Sequence, residues 1–135
     1  VCYNQDYTEV HKTLNCFHKH LEPGGMALID LEFSKEDWIE QGIWMEVVNE
    51  ENLKIARLLN SKSKGNKFVY NPVFLIKEDN KVDFEIDEHI LSIFETEKIK
   101  GIMEKVGLKT EIYSDFEFTH WEERKKRALL VGVKK

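Results

Sequence analysis

Among the residues able to do chemistry, His18 and His20 stand closest together and invite a metal reading. They lie in a stretch of helical period, where side chains two apart point in different directions. They are therefore expected as two solvent-side histidines, and no metal site is expected. Cys16 sits beside an apolar stripe and is expected as a small packed side chain rather than a nucleophile. Cys2 and Cys16 are the only cysteines. They form neither a CxxC pair nor a disulfide framework, which points to a reducing compartment, with the cytoplasm as default. There is no GxGxxG, P-loop, HExxH or GxSxG, so no motif cradles a phosphate, binds zinc or presents an activated serine. The charge run Glu122-Glu123-Arg124-Lys125-Lys126 is expected to be solvated.

The 135 residues around these groups are 41% hydrophobic and 33% charged, with a net charge of -5. That composition gives one globular domain with a sizeable core and excludes disorder. Lysines and arginines are mixed with acids, so no continuous cationic face meets a phosphate backbone, and nucleic acid is not an expected partner. No run approaches the ~18 apolar residues of a membrane span. The opening Val1-Cys2-Tyr3 has no methionine and no signal-peptide pattern, as expected of a piece of a longer chain.

Periodicity supplies the elements that must position any site. Val10, Leu14, Phe17 and Leu21 recur at helical spacing, with Asp6 and Glu9 as a capping pair and Pro23-Gly24-Gly25 as the stop. Met26 to Leu31 is nearly continuous in apolar character, as for a strand buried on both faces. Trp38 and Trp44 fall in a stretch without clear period. Leu53 to Asn60, Lys67 to Lys77 and Val82 to Phe94 read as strands joined by turns at Ser61 to Asn66 and Glu78 to Lys81, an antiparallel meander with one face solvated. Pro72, lacking an N–H, suggests an edge strand or a bulge. A helix from near Thr96 to Gly107 precedes strands at Leu108 to Tyr113 and Ala128 to Val133, joined by the loop Ser114 to Lys126. The class is α/β.

The order of these pieces resembles the C-terminal half of class I S-adenosylmethionine-dependent methyltransferases. The residues that carry the likeness are Phe17-His18-Lys19-His20-Leu21-Glu22-Pro23-Gly24-Gly25, the Ser34-Lys35-Glu36-Asp37-Trp38 segment, and Ala56-Arg57 followed by Ser61 and Gly65. The stretch from His89 to Phe94 and Arg127-Ala128-Leu129-Leu130-Val131-Gly132 complete it. Within the family the pattern is most similar to small-molecule N-methyltransferases acting on nucleotide-linked amino sugars.

The resemblance implies the C-terminal part of a Rossmann-like sheet, with the Ala128 strand antiparallel between the other two and residues 42–94 inserted as a meander covering the acceptor site. It implies methyl transfer to a small-molecule amine. S-adenosylmethionine is the implied cofactor, with its main binding motifs upstream of this chain. Tyr3 matches a residue beside the transferred methyl, and so is a candidate catalytic and cofactor-binding group. Arg127 and His89 match substrate-side positions. Trp38 and Trp44 could wall the acceptor pocket, since rigid rings give contact area at low entropic cost. A second reading is a non-catalytic interaction module derived from such a half, and the Met26 strand edge, if unpaired, would invite dimerisation or a covering N-terminal half.

Overall fold

The computed structural model describes residues 1–31, 43–121 and 127–135. The chain divides into two compact units, Val1–Trp38 with Ser92–Lys135 and, between them in sequence, Ile39–Leu91. In chain order the elements are α1 (Tyr7–His20), β1 (Met26–Leu31), β2 (Trp44–Asn49), β3 (Leu53–Lys64), β4 (Lys67–Glu78), β5 (Lys81–Ile86), β6 (His89–Ser92), α2 (Thr96–Lys105), β7 (Leu108–Tyr113) and β8 (Ala128–Lys134).

In the first unit the sheet order is β1-β8-β7, with β8 antiparallel to both neighbours. The implied strand order is therefore present. Asp6 caps α1 through Oδ1, which accepts from the Thr8 and Glu9 amides, while Glu9 accepts the Gln5 amide at 2.6 Å. The other end of α1 is closed by Lys134, whose Nζ donates to the carbonyls of His18 (2.9 Å) and Leu21 (2.8 Å). Gly24 takes φ +80, which an L side chain rarely adopts, and its amide reaches the Lys134 carbonyl. Helix, Pro-Gly-Gly turn and the end of β8 are thus tied by one small set of hydrogen bonds. Val10 and Leu14 of α1 and Ile99 and Met103 of α2 close over Ala27, Ile29 and Leu31 of β1 and Leu130 of β8. Gly132 lets this approach happen, because a Cβ there would lie 2.6 Å from the Met103 Cε and 3.1 Å from the Leu108 Cβ.

Three expectations for this unit change. β1 is buried on one face only: Ala27, Ile29 and Leu31 point into the core while Met26 and Leu28 are exposed. A continuous apolar run still alternates in a strand, and the described core lies on one side of this one. Phe17, in the last turn of α1, is also exposed. Cys16 is exposed as well. Two residues beyond Leu14 it points away from the stripe, and its Sγ lies 3.7 Å from His20 Nδ1. His20 is exposed, and His18 is half-buried against Gly107. The run from Glu122 to Lys126 lies outside the described residues.

The second unit is built on the antiparallel order β2-β3-β4-β5, with β6 also pairing β4. The stretch at Trp44 that shows no period is a strand, β2, at the sheet edge. The turn expected over six residues is a two-residue hairpin at Gly65-Asn66, since Lys64 pairs Lys67 and Gly65 takes φ +66. The long run after Val82 breaks at Asp87-Glu88 into β5 and β6. That break explains Pro72, which lies buried in the central strand β4 rather than on an edge. Its carbonyl accepts the Asp87 amide at 3.0 Å, so its nitrogen faces the same side, where the ladder is already interrupted and no donor is required.

Candidate functional site

In the first unit the most developed polar arrangement lies where β1 and β8 run out. Register pairs Asp30 with Leu129, so Arg127, two residues before Leu129, projects from the same face as Asp30 on the diagonal. The guanidinium grips the carboxylate at two points, Nε to Oδ1 at 2.8 Å and a terminal nitrogen to Oδ2. Phe116 lies beneath it, ring centroid 5.5 Å from the guanidinium carbon. Both charged side chains are partly exposed, which limits the pair's contribution to stability to roughly 0–1 kcal/mol. Its main physical effect is orientation, because a guanidinium clamped through one edge is aimed in a fixed direction.

Beside it, β7 ends in a cluster on Tyr113, whose ring meets Phe118 edge-on at 5.1 Å and stacks with His120 at 6.2 Å. The Tyr113 hydroxyl donates to Glu111. That hydrogen bond holds the Glu111 carboxyl below its ordinary pKa, with Lys109 adding to the effect, and raises the Tyr113 phenol above its own.

Tyr3 is 63% exposed on the turn before α1. The backbone there is turned inward: the Asn4 amide donates to the Val1 carbonyl, the Ser92 amide to the Cys2 carbonyl, and the Gln5 side chain to the Tyr3 carbonyl. This segment offers a ring and a hydroxyl, not a cradle of amides. The described residues therefore do not fit S-adenosylmethionine as a complete site, since a ligand of that size needs most of its surface buried.

In the second unit His89 lies 5.8 Å from the Tyr70 ring, and its Nε2 lies 3.2 Å from the Asp87 carboxylate. Trp44 is half-exposed on the edge strand, on the same face as Glu46, Arg57 and Phe74. On this face a groove of about 350 Å³ has Val48, Ile55, Phe74 and Ile76 as its floor, with Arg57 ion-paired to Glu46 on one side and Glu85 on the other. Trp38 lies outside the described residues. Sequence reasoning missed Asp30 and Phe116 as partners of Arg127, and Asp87 and Tyr70 as partners of His89. The first pair becomes readable only once β1 and β8 are known to be neighbours.

No protein-family profile matches the chain. Solved structures do. The chain superposes over its full length on DesVI of Streptomyces venezuelae, at a TM-score of 0.85 and 23% identity, covering 55% of that chain. It matches the sugar N-methyltransferase KedS8 of Streptoalloteichus over 99% of its length at a TM-score of 0.82 and 22% identity, covering 52% of that protein. This chain carries the C-terminal part of the class I methyltransferase fold. Among curated proteins it is 24% identical over 112 residues to a dTDP-3-amino-3,4,6-trideoxy-alpha-D-glucopyranose N,N-dimethyltransferase of Streptomyces venezuelae, covering 82% of this chain and 47% of that one. The chain thus spans about half the length of the proteins it matches.

Proposed function

We propose that this chain is the acceptor side of an S-adenosylmethionine-dependent methyltransferase that methylates the amine of a small molecule, with a nucleotide-linked amino sugar as the acceptor class. The observation that carries the reading is the match over 98–100% of this chain to KedS8, DesVI and the amino pentose methyltransferase CalS10, antiparallel insertion included. The fold likeness speaks for the scaffold, and the amino-sugar substrate in the name of the related N,N-dimethyltransferase supplies the acceptor class.

In this reading the cofactor, held mainly by residues outside this chain, supplies an already activated methyl group. The work left to the present residues is to bind the acceptor, orient its amine and exclude water. Arg127 binds an acidic group of the acceptor, and Asp30 is a positioning residue that fixes the guanidinium fork. Tyr3 orients the amine through its hydroxyl. Within the second unit, Trp44 and His89 are separate candidates for ligand contacts, His89 held by Asp87. A cytoplasmic setting suits a sequence whose two cysteines build no disulfide framework, and a net charge of -5 suits a small-molecule rather than a nucleic-acid partner. Among the described residues no helix is long and apolar enough to cross a membrane.

The test uses the protein expressed from the complete reading frame that encodes this chain, with dTDP-linked amino sugars and S-adenosylmethionine, followed by mass spectrometry for the methylated amine. Arg127→Ala is expected to raise KM for the acceptor about tenfold or more with a smaller change in kcat, and Asp30→Asn to raise KM less. Absence of any methylated amino sugar, or an Arg127→Ala variant with unchanged KM, overturns the acceptor assignment.

A further inference from the structure

β1 and β7 are both antiparallel to β8, so they run in the same direction and their carboxyl ends share one edge of the sheet. Open α/β sheets bind ligands outside the carboxyl ends of their strands. Asp30 comes from the end of β1 and Arg127 from the start of β8, and both stand at that edge. The loop that leaves β7 adds Phe116. Its backbone closes on itself: Asp115 Oδ1 accepts from the Glu117 and Thr119 amides at 3.0 Å each, the Ser114 amide donates to the Thr119 carbonyl at 2.8 Å, and the Ser114 hydroxyl to the His120 carbonyl at 3.2 Å. Phe118 holds a left-handed backbone at φ +61, a conformation that costs a residue with a bulky side chain energy and clusters at ligand sites. The turn seats Phe118 edge-on against Tyr113 and leaves Phe116 60% exposed, with its ring against the guanidinium.

An exposed phenylalanine by itself needs no explanation, but one fixed 5.5 Å from an aimed cation makes a two-part surface. Arg127 offers hydrogen bonds to an acidic oxygen, and the ring offers a flat π-face to a flat partner. The two parts need each other. Asp30 offsets the charge of the guanidinium, so a phosphate gains little from Arg127 by charge alone, and a second contact must supply the rest of the affinity. A base joined to its phosphate through one ribose meets both groups at once, whereas a bare acid leaves the ring in water. Resting on the acceptor class proposed above, we propose that Phe116 is a specificity-determining residue of this site: its ring stacks on the base of a nucleoside diphosphate whose phosphate Arg127 holds. The loop after β7 thereby selects nucleotide-linked over free amino sugars, and does so through contact area rather than charge.

The test uses the protein expressed from the complete reading frame that encodes this chain, with dTDP and inorganic pyrophosphate as probes in titration calorimetry. Wild type is expected to bind dTDP about tenfold or more tightly than pyrophosphate. Phe116→Ala is expected to weaken dTDP about 5- to 100-fold, the range of one base–aromatic stack, with pyrophosphate changed less than about twofold, and Phe116→Tyr to retain most of the affinity. In turnover with a dTDP-linked amino sugar the Phe116→Ala loss is expected to fall on KM, with kcat changed much less. Equal binding of the two probes by wild type, or dTDP binding unmoved by Phe116→Ala, overturns the inference. An equal loss of both probes overturns it too, since the ring then only props Arg127. Absence of any methylated amino sugar strikes the acceptor reading instead, and the ratio of dTDP to pyrophosphate affinity still decides the role of Phe116.

Discussion

Arg127 and Tyr113 show how one hydrogen-bonded partner redefines a side chain. The sequence marks Arg127 as a cation at the start of a strand, and the structure turns it into an aimed fork by clamping one edge to Asp30. Tyr113 and Glu111 stand two apart on β7, on one face of the strand, and their hydrogen bond shifts both groups in opposite directions. A carboxyl held below its usual pKa in the folded state contributes stability that is present above its unfolded value and lost as pH falls through the folded one. A phenol held above its usual pKa contributes stability present below its unfolded value and lost as pH rises through the folded one. The bond therefore spans neutral pH and fades at both extremes. Replacing Tyr113 by Phe keeps the ring against Phe118 and deletes only the donor. Glu111 is then expected to titrate higher, back toward an ordinary carboxylate, as followed by NMR of its side-chain carboxyl. A Glu111 titration unmoved by Tyr113→Phe would show that Lys109, not the hydroxyl, sets it.

Elements were legible wherever a local signal coincided with the tertiary environment. The capping acid Asp6, the glycine stop after α1 and Gly107 after α2 mark helix ends because each satisfies a local backbone need. Legibility failed where neighbours decide: an apolar run such as Met26–Leu31 cannot tell which of its faces will be covered, and Pro72 reads as an edge or bulge residue until the break between β5 and β6 is known. The sequence also gives no hint that Lys134, at the end of β8, closes α1. Its ammonium satisfies two carbonyls at the negative end of that helix, a partly buried arrangement in which charge and hydrogen bonding act together. Lys134→Met is expected to cost about 1 kcal/mol in urea denaturation, with an unchanged slope, and Lys134→Arg to recover part of it. A midpoint equal to wild type would mean that water replaces the ammonium without loss.

For the whole molecule, order carries more information than any motif. The succession of helix, Pro-Gly-Gly turn, strand, antiparallel insertion, helix and edge hairpin is legible, apart from β2, in periodicity and turn residues together. It is the same succession that superposes on DesVI and KedS8. What order cannot convey is which chemical groups lie within one ligand's reach, because that depends on contacts between residues far apart in sequence. The groups actually present set a limit on cofactor affinity. Around Tyr3 the carbonyls of Val1, Cys2 and Tyr3 accept internal hydrogen bonds and the Gln5 amide donates to Glu9, so little of the backbone remains to hold an adenosine or a methionine moiety. A drug-sized ligand gains only about 0.3 kcal/mol per atom even at well-formed sites, and an exposed ring engages few of those atoms. This chain alone is therefore expected to bind S-adenosylmethionine more weakly than about 1 mM, near the 4.1 kcal/mol that such a constant represents. Isothermal titration calorimetry of the chain against the cofactor checks this. Micromolar binding would mean that Tyr3 and its neighbours form a complete cofactor site and that the division of labour proposed above is wrong.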